Sequence, residues 1–65
     1  MNIQNVERAE KKGHSYKWHR SLLGKVKCQL LKNNAPDPAH SEMEFDSIDE
    51  AEDWALSQMD KLGSQ

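Results

Sequence analysis

Three histidines, one cysteine and eleven acids are the side chains of this 65-residue chain that could do chemistry. His14, His19, Cys28 and His40 carry the donor atoms that zinc prefers, but a zinc site is assembled from close pairs such as Cys-x-x-Cys or His-x-x-x-His. The four residues form no such pair, so the sequence predicts no metal. Cys28 falls in an alternating apolar run and reads as a small core residue. As the single cysteine it can form no disulfide within the chain, which fits a reducing compartment such as the cytoplasm. Acid–base or nucleophilic catalysis needs a base beside a nucleophile, paired carboxylates in an apolar pocket, or a glycine-rich loop for phosphates. None of these can be read, and the acids fall on solvent-facing positions. The expectation is a protein without enzymatic activity and without a cofactor.

The charges are more informative than the net value of −2. Residues 1–33 hold eight bases and two acids, a balance of +6, whereas residues 34–65 hold nine acids and one base, a balance of −8. Such asymmetry marks a basic surface for nucleic acid or acidic partners, or two halves that attract each other within the fold. On the basic side, Lys17, His19, Lys25 and Lys27 share the polar face of two alternating segments, where they could meet phosphates. Cross-strand pairing with glutamates is the structural alternative. Arg8, Lys11 and Lys12 add a basic N-terminal arm. On the acidic side, Asp49, Asp53 and Asp60 group on one face of a helix, with Glu50 nearby. They could meet a basic partner or simply keep the domain solvated. Glu52 lies inside the apolar arc of that helix and needs a partner, for which Arg20 is a candidate. Trp54, on the flank of the helix, is either a contact anchor or a cover for the sheet edge.

The elements that position these groups follow from periodicity. Ile3, Val6 and Ala9 recur every third residue before Gly13, so residues 1–13 form an N-terminal arm or short helix, either frayed or docked. From His14 the period is two. Tyr16, Trp18 and Leu22 alternate with polar residues, as do Val26, Cys28 and Leu30, which predicts two strands. A two-residue turn would set apolar side chains opposite polar ones. A three-residue turn, Leu22, Leu23 and Gly24, pairs Trp18 with Cys28, Tyr16 with Leu30 and His19 with Lys27, and puts glycine where a left-handed residue is required. Residues 32–40, rich in Asn, Pro and Asp, read as an exposed loop. Residues 42–46 alternate again, with Met43 and Phe45 on one side, and form a short third strand. Ser47 and Glu50 then make a capping box in which Glu50 reaches back to the Ser47 N–H. Gly63 serves as the helix stop. Ile48, Ala51, Ala55, Met59 and Leu62 share one helical face.

The expected fold is therefore α+β, a small three-stranded antiparallel sheet packed on one C-terminal helix, as a single domain over residues 14–63. Its core should comprise Tyr16, Trp18, Val26, Cys28, Leu30, Met43, Phe45, Ile48, Ala55, Met59 and Leu62. With 35% hydrophobic residues and this length, that core is small. No apolar run approaches the roughly 20 residues of a membrane span, and residues 1–12 are too polar for the apolar stretch of a signal peptide. No membrane contact is expected.

The run Phe45-Asp46-Ser47-Ile48-Asp49-Glu50-Ala51-Glu52-Asp53-Trp54-Ala55, following a hairpin that contains Trp18 and Gly24-Lys25, resembles the three-strand-plus-helix DNA-binding domains of the AP2 type. It is also similar to the arm-binding domains of tyrosine integrases. The likeness covers the layout of residues 16–62, with the capping box as its sharp motif. It implies that the outer sheet face would lie in the major groove through Lys17, His19, Lys25 and Lys27, whereas Glu42 and Glu44 on that face depart from the pattern. The first expectation for function is a small binding or regulatory module that contacts a protein partner through Trp54, Asp49, Asp53 and Asp60. The alternative is a nucleic-acid-binding domain using Lys17, His19, Lys25, Lys27, Lys11 and Lys12. Self-association through opposite charges or a shared strand edge is the third.

Overall fold

A computed structural model describes residues 2–65 as α1 (Ile3–Lys11), β1 (His14–Arg20), β2 (Val26–Lys32), β3 (Ala35–Pro36), β4 (Met43–Phe45) and α2 (Ile48–Gly63). Met1, the first residue of the expected arm, lies outside the described residues. The β1–β2 hairpin has the register that the three-residue turn demands, pairing Trp18 with Cys28, Tyr16 with Leu30 and His19 with Lys27. The Ser21 N–H donates to the Lys25 carbonyl at 2.7 Å, and Gly24 sits at φ +82°, where an L side chain is strained.

β2 is the central strand: β1 lies on one side of it, and β3 and β4 share the other, all antiparallel. Facing residues form rows across the sheet. Trp18, Cys28 and Met43 make one, and Arg20, Val26 and Phe45 the next on the same face. His19, Lys27 and Glu44 make a row on the opposite face. Residues 32–40 are not wholly a loop, which corrects the composition-based expectation. Asn33 and Asn34 both take positive φ, 54° and 67°, and turn the chain in two residues so that Ala35 and Pro36 pair with Lys32 and Leu31. Asparagine tolerates that conformation, and a proline fits an edge strand because it has no N–H to leave unpaired.

The start of α2 is the expected cap with one difference. The Ser47 hydroxyl accepts from the Glu50 N–H at 3.2 Å, but the Glu50 carboxylate accepts from Asp46 at 3.3 Å, one residue earlier than the capping box predicts. Gly63 does not act as a left-handed stop. The helix runs through it to Ser64, whose φ of −87° is right-handed, and Gly63 is buried against α1 instead. An ideal Cβ built there would lie 1.6 Å from the Asn5 carbonyl oxygen. The residue is glycine because two helix backbones meet at it.

The expected arm is thus a docked helix. Asn2 caps α1 by accepting from the Gln4 N–H at 2.9 Å, and Val6 and Ala9 are buried with Met59. Ile3 remains 70% exposed, so the three-residue spacing overstates the buried face by one position. Asn5 donates to the Asp60 carboxylate at 2.8 Å, and the Lys12 ammonium reaches the Gln65 carbonyl at 2.8 Å. These contacts clasp α1 to the end of α2.

Two buried clusters share Tyr16 as a common neighbour. Val26, Cys28 and Leu30 of β2 pack on Ala51 and Ala55 of α2, while Val6 and Ala9 of α1 pack on Met59. Full burial of side chains such as Leu30 or Met59 stabilises the fold by roughly 1.5–3 kcal/mol each. Trp18 and Met43, expected in the core, are corrected to exposed residues at 40% and 42%. Both occupy the helix-bearing face, but the small side chains of Ala51 and Ala55 seat α2 on the central strand. A single helix about 10 Å wide then leaves the flanking strands open.

Candidate interaction surface

The basic set expected on the outer face divides. Lys17 and His19 are exposed on β1 with no side-chain partner among the described residues. Lys27 stands directly across from Glu44, and Lys25 forms an ion pair with Asp46 that raises its pKa, first through the hydrogen bond and then through the charge. The cross-strand pairing weighed from the sequence is thus realised for the second half of the hairpin. Lys11 is exposed in the last turn of α1, and Lys12 is occupied by carbonyls at the end of α2, at the negative pole of that helix. Lys11 and Lys12 therefore lie apart from the β1–β2 face.

The acidic set divides too. Asp49 and Asp53 are exposed with no ion pair among the described residues, whereas Asp60 is half-buried and held by Asn5. Trp54 is also half-buried: its ring packs on Phe45 with centroids 5.6 Å apart and planes tilted by 44°. That position covers the helix-bearing side of Phe45 on β4 and leaves the outer edge of the strand open. Glu52 is half-buried without the Arg20 partner considered for it. Its charge reaches the inner face, where it adds to burial in raising the pKa of the Tyr16 hydroxyl and the Cys28 thiol. Cys28 itself is fully buried and behaves as the core residue expected.

At the other end of β2 the connection to β4 is fixed by Asp37. Its carboxylate is nearly buried, accepts from the Ala39 N–H at 2.9 Å and meets the His40 ring at 3.2 Å. Those hydrogen bonds, the backbone one foremost, hold its pKa below the ordinary carboxylate value. The Gln29 amide donates to the His40 carbonyl at 3.0 Å and pins the same loop. His14, opposite Lys32, is pushed below the ordinary histidine value by burial and then by the Lys32 charge. Its Nδ1 is buried without a partner. His14 and His40 are thus built into the β3 end of the sheet, remote from His19 at the hairpin end. No cluster of three metal-ligating side chains occurs among the described residues.

The feature that sequence reasoning missed is the hairpin tip. Leu22 and Leu23 project into solvent at 107% and 88% exposure, and Trp18 of β1 is exposed on the helix-bearing face. Arg20, also exposed, shares that face with Trp18 and stands between it and the tip. Two adjacent leucines in a turn that itself requires only a glycine were the available signal. No helix among the described residues is long and apolar enough to cross a membrane. In comparisons with known proteins, no family model, no curated protein and no solved structure matches this chain.

Proposed function

We propose that this chain is a non-catalytic binding module that contacts another protein through the tip of its β1–β2 hairpin. The observation that carries the reading is the full exposure of Leu22 and Leu23, which the fold does not need in order to close the turn. Scattered apolar residues on a surface are ordinary, but an adjacent pair near an exposed tryptophan and arginine has the composition of an interface centre. Burying each leucine against a partner contributes roughly 1.5–3 kcal/mol. The contact does not use Asp49 and Asp53, which stay exposed on α2, nor Trp54 and Asp60, which are engaged within the fold.

The test is retention of partners by immobilised chain, comparing the wild type with a Leu22→Ser, Leu23→Ser double variant whose spectrum confirms the fold. The reading expects discrete proteins held by the wild type and released by the variant. Identical retention by both would overturn it.

A second reading has an observation of its own in its favour. Lys17 and His19 are unpaired on a sheet face that no helix covers, in keeping with the DNA-binding layout the sequence resembles. In this reading duplex DNA shifts the resonances of Lys17, His19 and Lys27 at low salt, and the shifts collapse as salt rises because phosphate contacts release counterions. An unchanged low-salt spectrum would remove it.

A further inference from the structure

The two free edges of the sheet differ in charge and lie at the same height. Ser21 bonds to Lys25 and Asn33 to Gly13, so alternate residues of β1 face β2, and the backbone groups of Trp18 and Arg20 point away from the sheet. On the far side, Asp37 bonds to the Leu30 carbonyl, so the even-numbered residues of β2 serve that edge. Met43 and Phe45 therefore face β2, and the N–H and C=O of Glu44 point outward. No backbone partner engages Trp18, Arg20 or Glu44 on these outer sides among the described residues.

We propose that a second copy of the chain adds its β4 edge to the β1 edge of the first, giving a head-to-tail continuation of the sheet. β1 and β4 both run antiparallel to β2, so the new pair is parallel, as in other mixed sheets. In the register that continues the existing rows, Glu44 of the second copy lies beside His19. It donates to the Trp18 carbonyl and accepts from the Arg20 N–H, the groups that point outward. On the outer face Lys17 then meets Glu42 of the second copy. On the helix-bearing face Trp18 meets Met43 of the second copy, so the two large side chains left exposed at opposite edges of one row cover each other. Pairing of β1 with another β1 would instead set Lys17, His19 and Arg20 against like charges, which edge strands use to prevent association. The contact joins unlike surfaces and does not close on itself, so it builds chains rather than a dimer of fixed size.

The inference does not use Leu22 or Leu23 and stands or falls separately from the hairpin-tip reading. It is tested by sedimentation equilibrium and amide exchange of the intact chain at low salt over a wide concentration range. The expected result is an average mass that climbs above 7.5 kDa without a plateau, weakened by salt. The Trp18, Arg20 and Glu44 amides gain protection with concentration, while those of Lys17 and His19, already in the β2 ladder, do not. The Leu22→Ser, Leu23→Ser variant behaves as the wild type. Arg20→Pro and Glu44→Pro each remove an N–H that bonds nothing in the monomer. Each variant alone stays monomeric, and a 1:1 mixture gives a heterodimer, because each retains the edge the other lacks. A constant mass of one chain at every concentration would overturn the proposal. So would concentration-dependent protection confined to amides outside β1 and β4, or association of either proline variant equal to that of the wild type.

Discussion

Gly63→Ala gives the sharpest reading of how the two helices meet. The added Cβ would sit 1.6 Å from the Asn5 carbonyl oxygen, 2.4 Å from its carbonyl carbon and 2.9 Å from its Cα. All three are backbone atoms of α1, so no side chain can swing aside. Ordinary contact begins near 3.4 Å, and α1 must therefore retreat by about 2 Å. That movement opens the packing of Val6 and Ala9 on Met59 and stretches the 2.8 Å bond from Asn5 to Asp60. Lost burial of Val6 costs roughly 1.5–3 kcal/mol, and the hydrogen bond about 0.5–1.5. The better helix propensity of alanine returns up to about 1 kcal/mol. The net loss is about 1–3.5 kcal/mol, a fall in Tm of roughly 5–25 °C for a domain of this size. Urea denaturation gives the loss and amide exchange locates it, with the amides of α1 losing protection ahead of those of β2. A Gly63→Ala variant as stable as the wild type, or one destabilised with α1 still protected, would refute the reasoning.

Acid should weaken the fold in two stages, and both signs are the same. His14 has a folded pKa below its ordinary 6.5, so the unfolded chain binds the extra proton and stability falls as pH drops through that region. Asp37, held below its ordinary 3.8, adds a second loss at lower pH, when its hydrogen-bonded carboxylate is finally protonated. Thermal melts at pH 7.5 and 5.5 should differ, and His14→Gln should shrink the difference; an unchanged difference argues against the burial of His14. Trp54→Ala removes the ring stacked on Phe45 and, at half burial, should cost about 2 kcal/mol in urea, below the roughly 3–5 of a fully buried aromatic. No loss would return Trp54 to the list of free contact anchors. Gly24→Ala has open space around its Cβ, yet at φ +82° it should cost about 1–2 kcal/mol from backbone strain alone. The Leu22→Ser, Leu23→Ser pair should instead stay within about 0.5 kcal/mol of the wild type. The reverse order in denaturation would mean that the tip packs differently.

The hairpin was legible because two constraints agreed. The period-two pattern and the glycine of the turn both require one register, and any slip would turn Val26, Cys28 and Leu30 to water. The start of α2 was legible for a similar local reason, since Ser47 and Glu50 carry the cap in their own side chains. Features that depend on separated segments were not. Gly63 reads as a helix stop in a linear chain, and only the approach of Asn5 makes it a packing residue. Trp18 and Met43 alternate correctly with their neighbours, but the height and width of the helix above them decide whether they are covered. The candidate contacts sorted the same way. Periodicity placed Lys17 and His19 on one face, yet it could not say that Asp46 would capture Lys25, that Asn5 would hold Asp60 or that Phe45 would take Trp54. The leucines of the tip were visible as letters of a turn, and their exposure appeared only with the loop built around them.

The central claim, that the hairpin tip is the contact surface for another protein, is tested most directly by placing a photo-crosslinking side chain at position 23 and, as a control, at position 53. An adduct of defined mass is expected from position 23, suppressed by excess wild-type chain and not by the Leu22→Ser, Leu23→Ser variant, with little from position 53. No adduct at position 23, or the same adduct from both positions, would contradict it.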